Sequence, residues 1–137
     1  MMEVPSVNLA AVAVCAAFSM VLGMLWYGPL FGKKWMELTG KKMGDMGNKA
    51  EMPKLMGVAF IGTLVAAYVL AIFIKFSGAA TPVEGVMAGF WAWLGFIATV
   101  SLSTVLWEGK PVRLYMLNNA HELVHFAGMG AIIAAMA

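Results

Sequence analysis

Apolar residues run along this chain in four long blocks, about 7–28, 54–76, 84–107 and 112–136, separated by polar or breaker-rich segments. Each block reaches the ~20 residues needed to cross a ~30 Å hydrocarbon core. In lipid such blocks must be helical, because every backbone N–H and C=O needs a partner inside its own segment. The first connection is about 25 residues long, whereas the next two are about 7 and 4 and so force their neighbours antiparallel. The pattern predicts an all-α polytopic integral membrane protein. It has four transmembrane helices in a compact bundle and one membrane domain over residues 1–137.

The first connection, residues 29–53, opens at Gly28-Pro29 and closes at Pro53, both chain breakers. Within it Phe31, Trp35 and Leu38 recur at helical spacing while Lys33, Lys34 and Glu37 fall elsewhere, which predicts a short interfacial helix over Phe31–Leu38. Composition agrees with a lipid setting. Hydrophobic residues make up 62% and charged residues 12%, with a mean hydropathy of +0.85. Soluble domains carry roughly 45–50% apolar and about 25% charged residues.

Charge placement sets the expected orientation. Lys33, Lys34, Lys41, Lys42, Lys49 and Lys54 lie in or beside the first connection, Lys110 and Arg113 in the third, and only Lys75 on the other side. Positive loops stay cytoplasmic, so the 29–53 loop is expected inside and both termini outside, in a plasma or inner membrane. The lysines suit anionic lipid headgroups, making membrane lipids the first expected partner. Trp26, Tyr27 and Trp35 at the inner end of the first block, and Trp107 at that of the third, fit an interfacial aromatic belt. Glu108 and Arg113 at the same edge are expected to pair. No nucleic-acid module accompanies the basic residues, so nucleic acid is not an expected partner. Gly85/Gly89 and Gly28/Gly32 are spaced for close helix packing.

Cys15 is the sole cysteine, so no disulfide forms within the chain. Thirteen methionines stand in no regular motif and read as packing. Residues 1–8 hold Glu3 and no Lys or Arg, which reads as the approach to a retained helix and not as a signal peptide.

The last block differs from the others in carrying Asn118, Asn119, His121, Glu122 and His125. On a helix Asn118, Glu122 and His125 fall within about 60° of one another and His121 about 40° farther round, with Tyr115 and Met129 extending the stripe. His121 lies ten residues beyond Pro111, about 15 Å into the membrane at 1.5 Å per residue. Ionisable groups at that depth are costly unless paired or hydrated, so the stripe must face the bundle interior, a crevice or a partner subunit. Thr99 and Ser103 in the third block are expected to add hydroxyls.

Several readings of the stripe are open. A polar path for protons or a small solute, as in a channel or transporter, would use Asn118, His121, Glu122, His125 and Tyr115. With so few residues such a path is expected between subunits, which makes a homo-oligomer the expected assembly. A metal reading would take zinc or copper on His121 and His125 with Cys15, which counting also places at mid-depth. A structural reading has the same groups hydrogen-bonding across helices, at about 0.6 kcal/mol each. His121-Glu122-Leu123-Val124-His125 has the order of a zinc-protease helix, yet a hydrolytic zinc needs a third protein ligand. All other acids lie in loops or at membrane edges, so no enzyme activity and no required cofactor are expected.

Gly23, the run Trp26-Tyr27-Gly28-Pro29-Leu30-Phe31-Gly32 and Trp35 resemble the opening of a family of small bacterial and fungal membrane proteins, domain of unknown function 1761. The likeness continues through Leu94-Gly95-Phe96, Leu102-Ser103 and Leu106-Trp107-Glu108-Gly109, and resumes at Asn118 and Met129-Gly130. It covers nearly the whole chain and implies a four-helix membrane protein with no established activity. In that family a histidine is common where Glu122 stands here, and small or aromatic residues occupy the positions of His121 and His125. The resemblance therefore implies that the His-Glu-x-x-His order is particular to this chain, while a polar position in the fourth helix is shared.

Overall fold

The computed structural model describes residues 4–40 and 52–137; Lys41, Lys42 and Lys49 of the first connection lie outside the described residues. Among the described residues the chain is helical with no strand. Asn8 caps α1 (Leu9–Leu25), its side-chain oxygen accepting from the Ala10 and Ala11 N–H groups. A π-helical turn, Trp26–Leu30, comes next and leads into α2 (Gly32–Thr39). Then come α3 (Met52–Ser77) and α4 (Pro82–Trp93), the latter capped by Thr81 with proline in its first turn. A second π-helical turn, Leu94–Ala98, carries the chain into α5 (Thr99–Ser101) and α6 (Ser103–Leu106). After a turn with Gly109 at φ +68, α7 (Val112–Ala135) runs back.

The ends of all four apolar blocks fall within two residues of these helices, and α2 replaces the predicted Phe31–Leu38 helix with a shift of one residue. Among the described residues three helices are long and apolar enough to cross a membrane: Leu9–Leu30, Met52–Ser77 and Pro82–Leu106. The expectation of four such helices is corrected at α7. It spans 24 residues, but Asn118, Asn119, His121, Glu122 and His125 dilute its apolar character. Leu55, Val58, Ile61, Val65, Val83, Met87, Trp91 and Val100 all stand exposed on the outer surface of the bundle. So broad an apolar exterior fits a lipid environment.

The least apolar long helix is also the most central. α7 packs most extensively on α4 and also touches α1, α2 and α3. Glycine permits the α4–α7 approach: a Cβ at Gly85 would strike the Gly130 carbonyl, and one at Gly89 the Phe126 carbonyl. The Gly85/Gly89 step thus serves packing within the chain. Toward the termini the interior is wholly apolar, built from Val12, Cys15, Ala67, Leu70, Ala71, Ile74, Met129 and Ile133. Asn8 Nδ2 donates to the Met136 carbonyl at 2.8 Å and fixes the antiparallel register of α1 on α7. The two halves of α7 therefore differ, with apolar packing at the C-terminal end and polar groups toward its start.

Candidate functional site

The turn between α1 and α2 shapes one wall of the site. Gly28 leaves helical geometry at φ −108, ψ −106 and is followed by Pro29, so the chain bends sharply back. Gly32 is then forced against the preceding turn, where a Cβ would lie 2.6 Å from the Tyr27 carbonyl oxygen. This geometry accounts for the spacing of glycine and proline in the Trp-Tyr-Gly-Pro-Leu-Phe-Gly run. It also turns the aromatic residues toward α7. Tyr27 OH donates to Asn118 Oδ1 at 2.8 Å, and the Trp26 and Tyr27 rings lie 5.8 and 5.1 Å from that of His121. Trp26 and Tyr27, expected in an aromatic belt, are half-buried and contact the polar stripe. Trp107, 84% exposed, remains at the surface as a belt residue would.

A crevice of about 580 Å³ opens between α2, the end of the third span and the start of α7. Trp35, Leu38 and Thr39 line one side; Glu108, Gly109, Lys110 and Pro111 form its rim. Ser101, Thr104, Leu114, Tyr115, Asn118 and Asn119 complete its lining. Asn119, missed as a stripe member because it lies off the helical face, is held at both ends. Its Oδ1 accepts from Ser101 Oγ at 3.1 Å, and its Nδ2 donates to the Tyr115 carbonyl. The Tyr115 hydroxyl in turn donates to the Ala98 carbonyl. Asn118 is different: its amide nitrogen has no partner among the described residues.

The hydroxyls that reach this surface are not those expected. Thr99 is exposed and bonds its own helix at the Gly95 carbonyl, and Ser103 is exposed as well. Ser101 and Thr104 take their place because the π-helical turn at Leu94–Ala98 inserts an extra residue and rotates the remainder of the span. Glu108 lies on the rim without pairing Arg113. Among the described residues ion pairs join only Lys34 to Glu37 and Glu122 to the two histidines. The expected Glu108–Arg113 pair is not formed.

One turn deeper than Asn118, a single carboxylate holds both histidines. His121 Nδ1 lies 3.2 Å from Glu122 Oε1 and His125 Nδ1 lies 3.3 Å from Oε2. A carboxylate only accepts, so the network assigns the proton of each neutral imidazole to Nδ1 and leaves a lone pair on each Nε2. The rings stack 5.8 Å apart at 29°. His121 and His125 are 8% and 7% exposed, and both Nε2 atoms are buried with no partner among the described residues. Trp26 Nε1 is a third buried group in the same condition. An unsatisfied buried acceptor costs about 1–3 kcal/mol. Glu122 is less enclosed, its side chain 34% exposed.

Cys15 does not join this cluster. Its Sγ approaches the Met129 carbonyl at 3.7 Å, a full turn beyond His125. Among the described residues no three His, Cys, Asp or Glu side chains are arranged to hold a metal ion, so the Cys15–His121–His125 ligand set is corrected. Past His125, Met129 and Cys15 are fully buried and close the polar zone with apolar packing. The lining of the crevice reaches Asn118 and Asn119 and includes neither histidine.

Residues 10–134 match the model of a family described as a protein of unknown function (DUF1761), and the chain belongs to that family. No curated protein and no solved structure matches it.

Proposed function

We propose that this DUF1761 chain is a four-span membrane protein that admits a small polar solute from its lysine-rich side into a blind crevice, as a binding or transport protein and not as an open channel. One observation carries the reading. Ser101, Asn118 and Asn119 present polar groups in a space of about 580 Å³, and the two asparagines lie seven to eight residues along α7 from Pro111. At 1.5 Å per residue that is about 10–12 Å inside the helix start. Polar groups so placed in a lipid-facing bundle are tolerated where they line a watered cavity. α7 acts as the fourth span because Trp26, Tyr27 and Ser101 cover part of its polar half while its other residues are largely apolar.

The positive-inside asymmetry supports a cytoplasmic mouth, with both termini outside in a plasma or inner membrane. The partly exposed Glu122 supports a homo-oligomer, in which a neighbouring copy would cover that carboxylate. The reading involves no enzymatic step.

Cysteine labelling in membranes tests the crevice. In a Cys15→Ala background, Thr104→Cys is expected to react with a small water-borne thiol reagent much faster than Thr99→Cys, which faces outward. Equal, slow labelling at both positions would rule out a hydrated crevice.

A further inference from the structure

We propose that His121 and His125 form a binding site for a small protonated amine, of which the ammonium ion is the smallest, one turn of α7 beyond the crevice. The inference rests on the crevice reading and specifies its solute class. Three features of the cluster define the ligand. First, the two Nε2 atoms are buried lone pairs without partners among the described residues, so the ligand must bring N–H or O–H donors, or act as a metal. Second, the cluster's only formal charge with neutral imidazoles is that of Glu122, so a monovalent cation leaves it neutral. Third, the rings are nearly parallel, and both turn Nδ1 to the same carboxylate, which leaves the two Nε2 edges on its far side.

Charge and ligand count decide between a donor and a metal. A bound metal would want a third protein ligand, and among the described residues no three His, Cys, Asp or Glu side chains are arranged to hold one. The Trp26 and Tyr27 rings beside His121 add π faces, which favour a cation over a neutral donor. Tyr27, hydrogen-bonded to Asn118, stands between the crevice floor and the imidazoles, so an entering amine passes it.

The test measures thermal unfolding of the purified full chain in detergent, in ammonium, methylammonium, potassium and tetramethylammonium chloride at equal ionic strength. Ammonium and methylammonium are expected to raise the melting temperature by a few degrees relative to potassium, a cation of like charge and similar size with no N–H. Tetramethylammonium, which also has no N–H, is expected to give no rise. The increment disappears in His125→Phe and in His121→Phe, and persists in Lys75→Ala at the far end of α3, away from the crevice. If one histidine variant does not fold, the other and the salt comparison on the unaltered chain still decide. Equal behaviour of ammonium and potassium overturns the proposal, as does tight zinc or copper binding that depends on the histidines while ammonium has no effect. Failure here with fast Thr104→Cys labelling removes the amine and leaves the crevice. Slow Thr104→Cys labelling removes both.

Discussion

Tyr27 and Asn118, 91 residues apart in sequence, share a 2.8 Å hydrogen bond that fastens the end of the first span to the polar half of α7. The bond gives the Trp-Tyr-Gly-Pro run a structural purpose. The kink at Gly28 swings Tyr27 inward, and the close approach at Gly32 holds it there. Tyr27→Phe removes the donor and is expected to cost about 0.6–1.5 kcal/mol, the range for hydrogen bonds between helices in membranes and in proteins generally. A double-mutant cycle with Asn118→Leu, read by unfolding in detergent, should show the two changes to be coupled. Strict additivity would mean that the bond carries no stability.

Glu122→Gln tests the clamp on the two imidazoles. A carboxylate accepts from both Nδ1–H groups, whereas the amide offers one carbonyl oxygen and turns its NH2 toward the other ring. One histidine then loses its partner, at about 1–3 kcal/mol. Nitrogen NMR on labelled histidine should show both rings protonated at Nδ1 in the unaltered chain and a change at one ring in the variant. Identical ring states in the two proteins would refute the clamp.

The α4–α7 contact predicts a sharp contrast between glycines. Gly85→Ala places a methyl group on the Gly130 carbonyl, so it must separate the helices, at a cost of about 1–3 kcal/mol or more. Gly62→Ala in α3 meets nothing within 4 Å and is expected to be tolerated. Comparing folded yield and melting temperature of the two variants provides the check; equal losses would contradict the packing described.

Much of this architecture was legible in the sequence because apolar block length and helix length obey the same limit. The positions of the long helices follow from the apolar blocks, and the short α2 from helical spacing within the first connection. The departures have local causes. Trp26 and Tyr27 read as belt aromatics from position alone; their contacts with α7 follow a bend at the non-helical Gly28 that no periodic pattern encodes. Thr99 and Ser103 gave way to Ser101 and Thr104 because counting at 3.6 residues per turn does not foresee a π-helical turn.

Cys15 shows the limit of counting depth from opposite ends. It lies seven residues on from Asn8 in α1, and Met129 lies seven back from Met136 in α7. With Asn8 bonded to Met136, the antiparallel register puts Cys15 beside Met129. That is eight residues, about 12 Å, from the level of His121. Its enclosure in apolar packing predicts that Cys15 resists alkylation in the folded protein and reacts only after denaturation, a result mass spectrometry reads directly. Rapid native labelling would contradict the sealed end of the bundle.

The central claim is a polar crevice open on one side and closed beyond the histidines, and side-resolved labelling of Ser101→Cys tests it most directly. In a Cys15→Ala background, a membrane-impermeant thiol reagent is applied to sealed vesicles of each orientation. The account predicts modification only from the side bearing the lysine-rich connection. Modification from both sides would show a continuous pore, modification from neither a dry, packed interior, and either result would contradict the account.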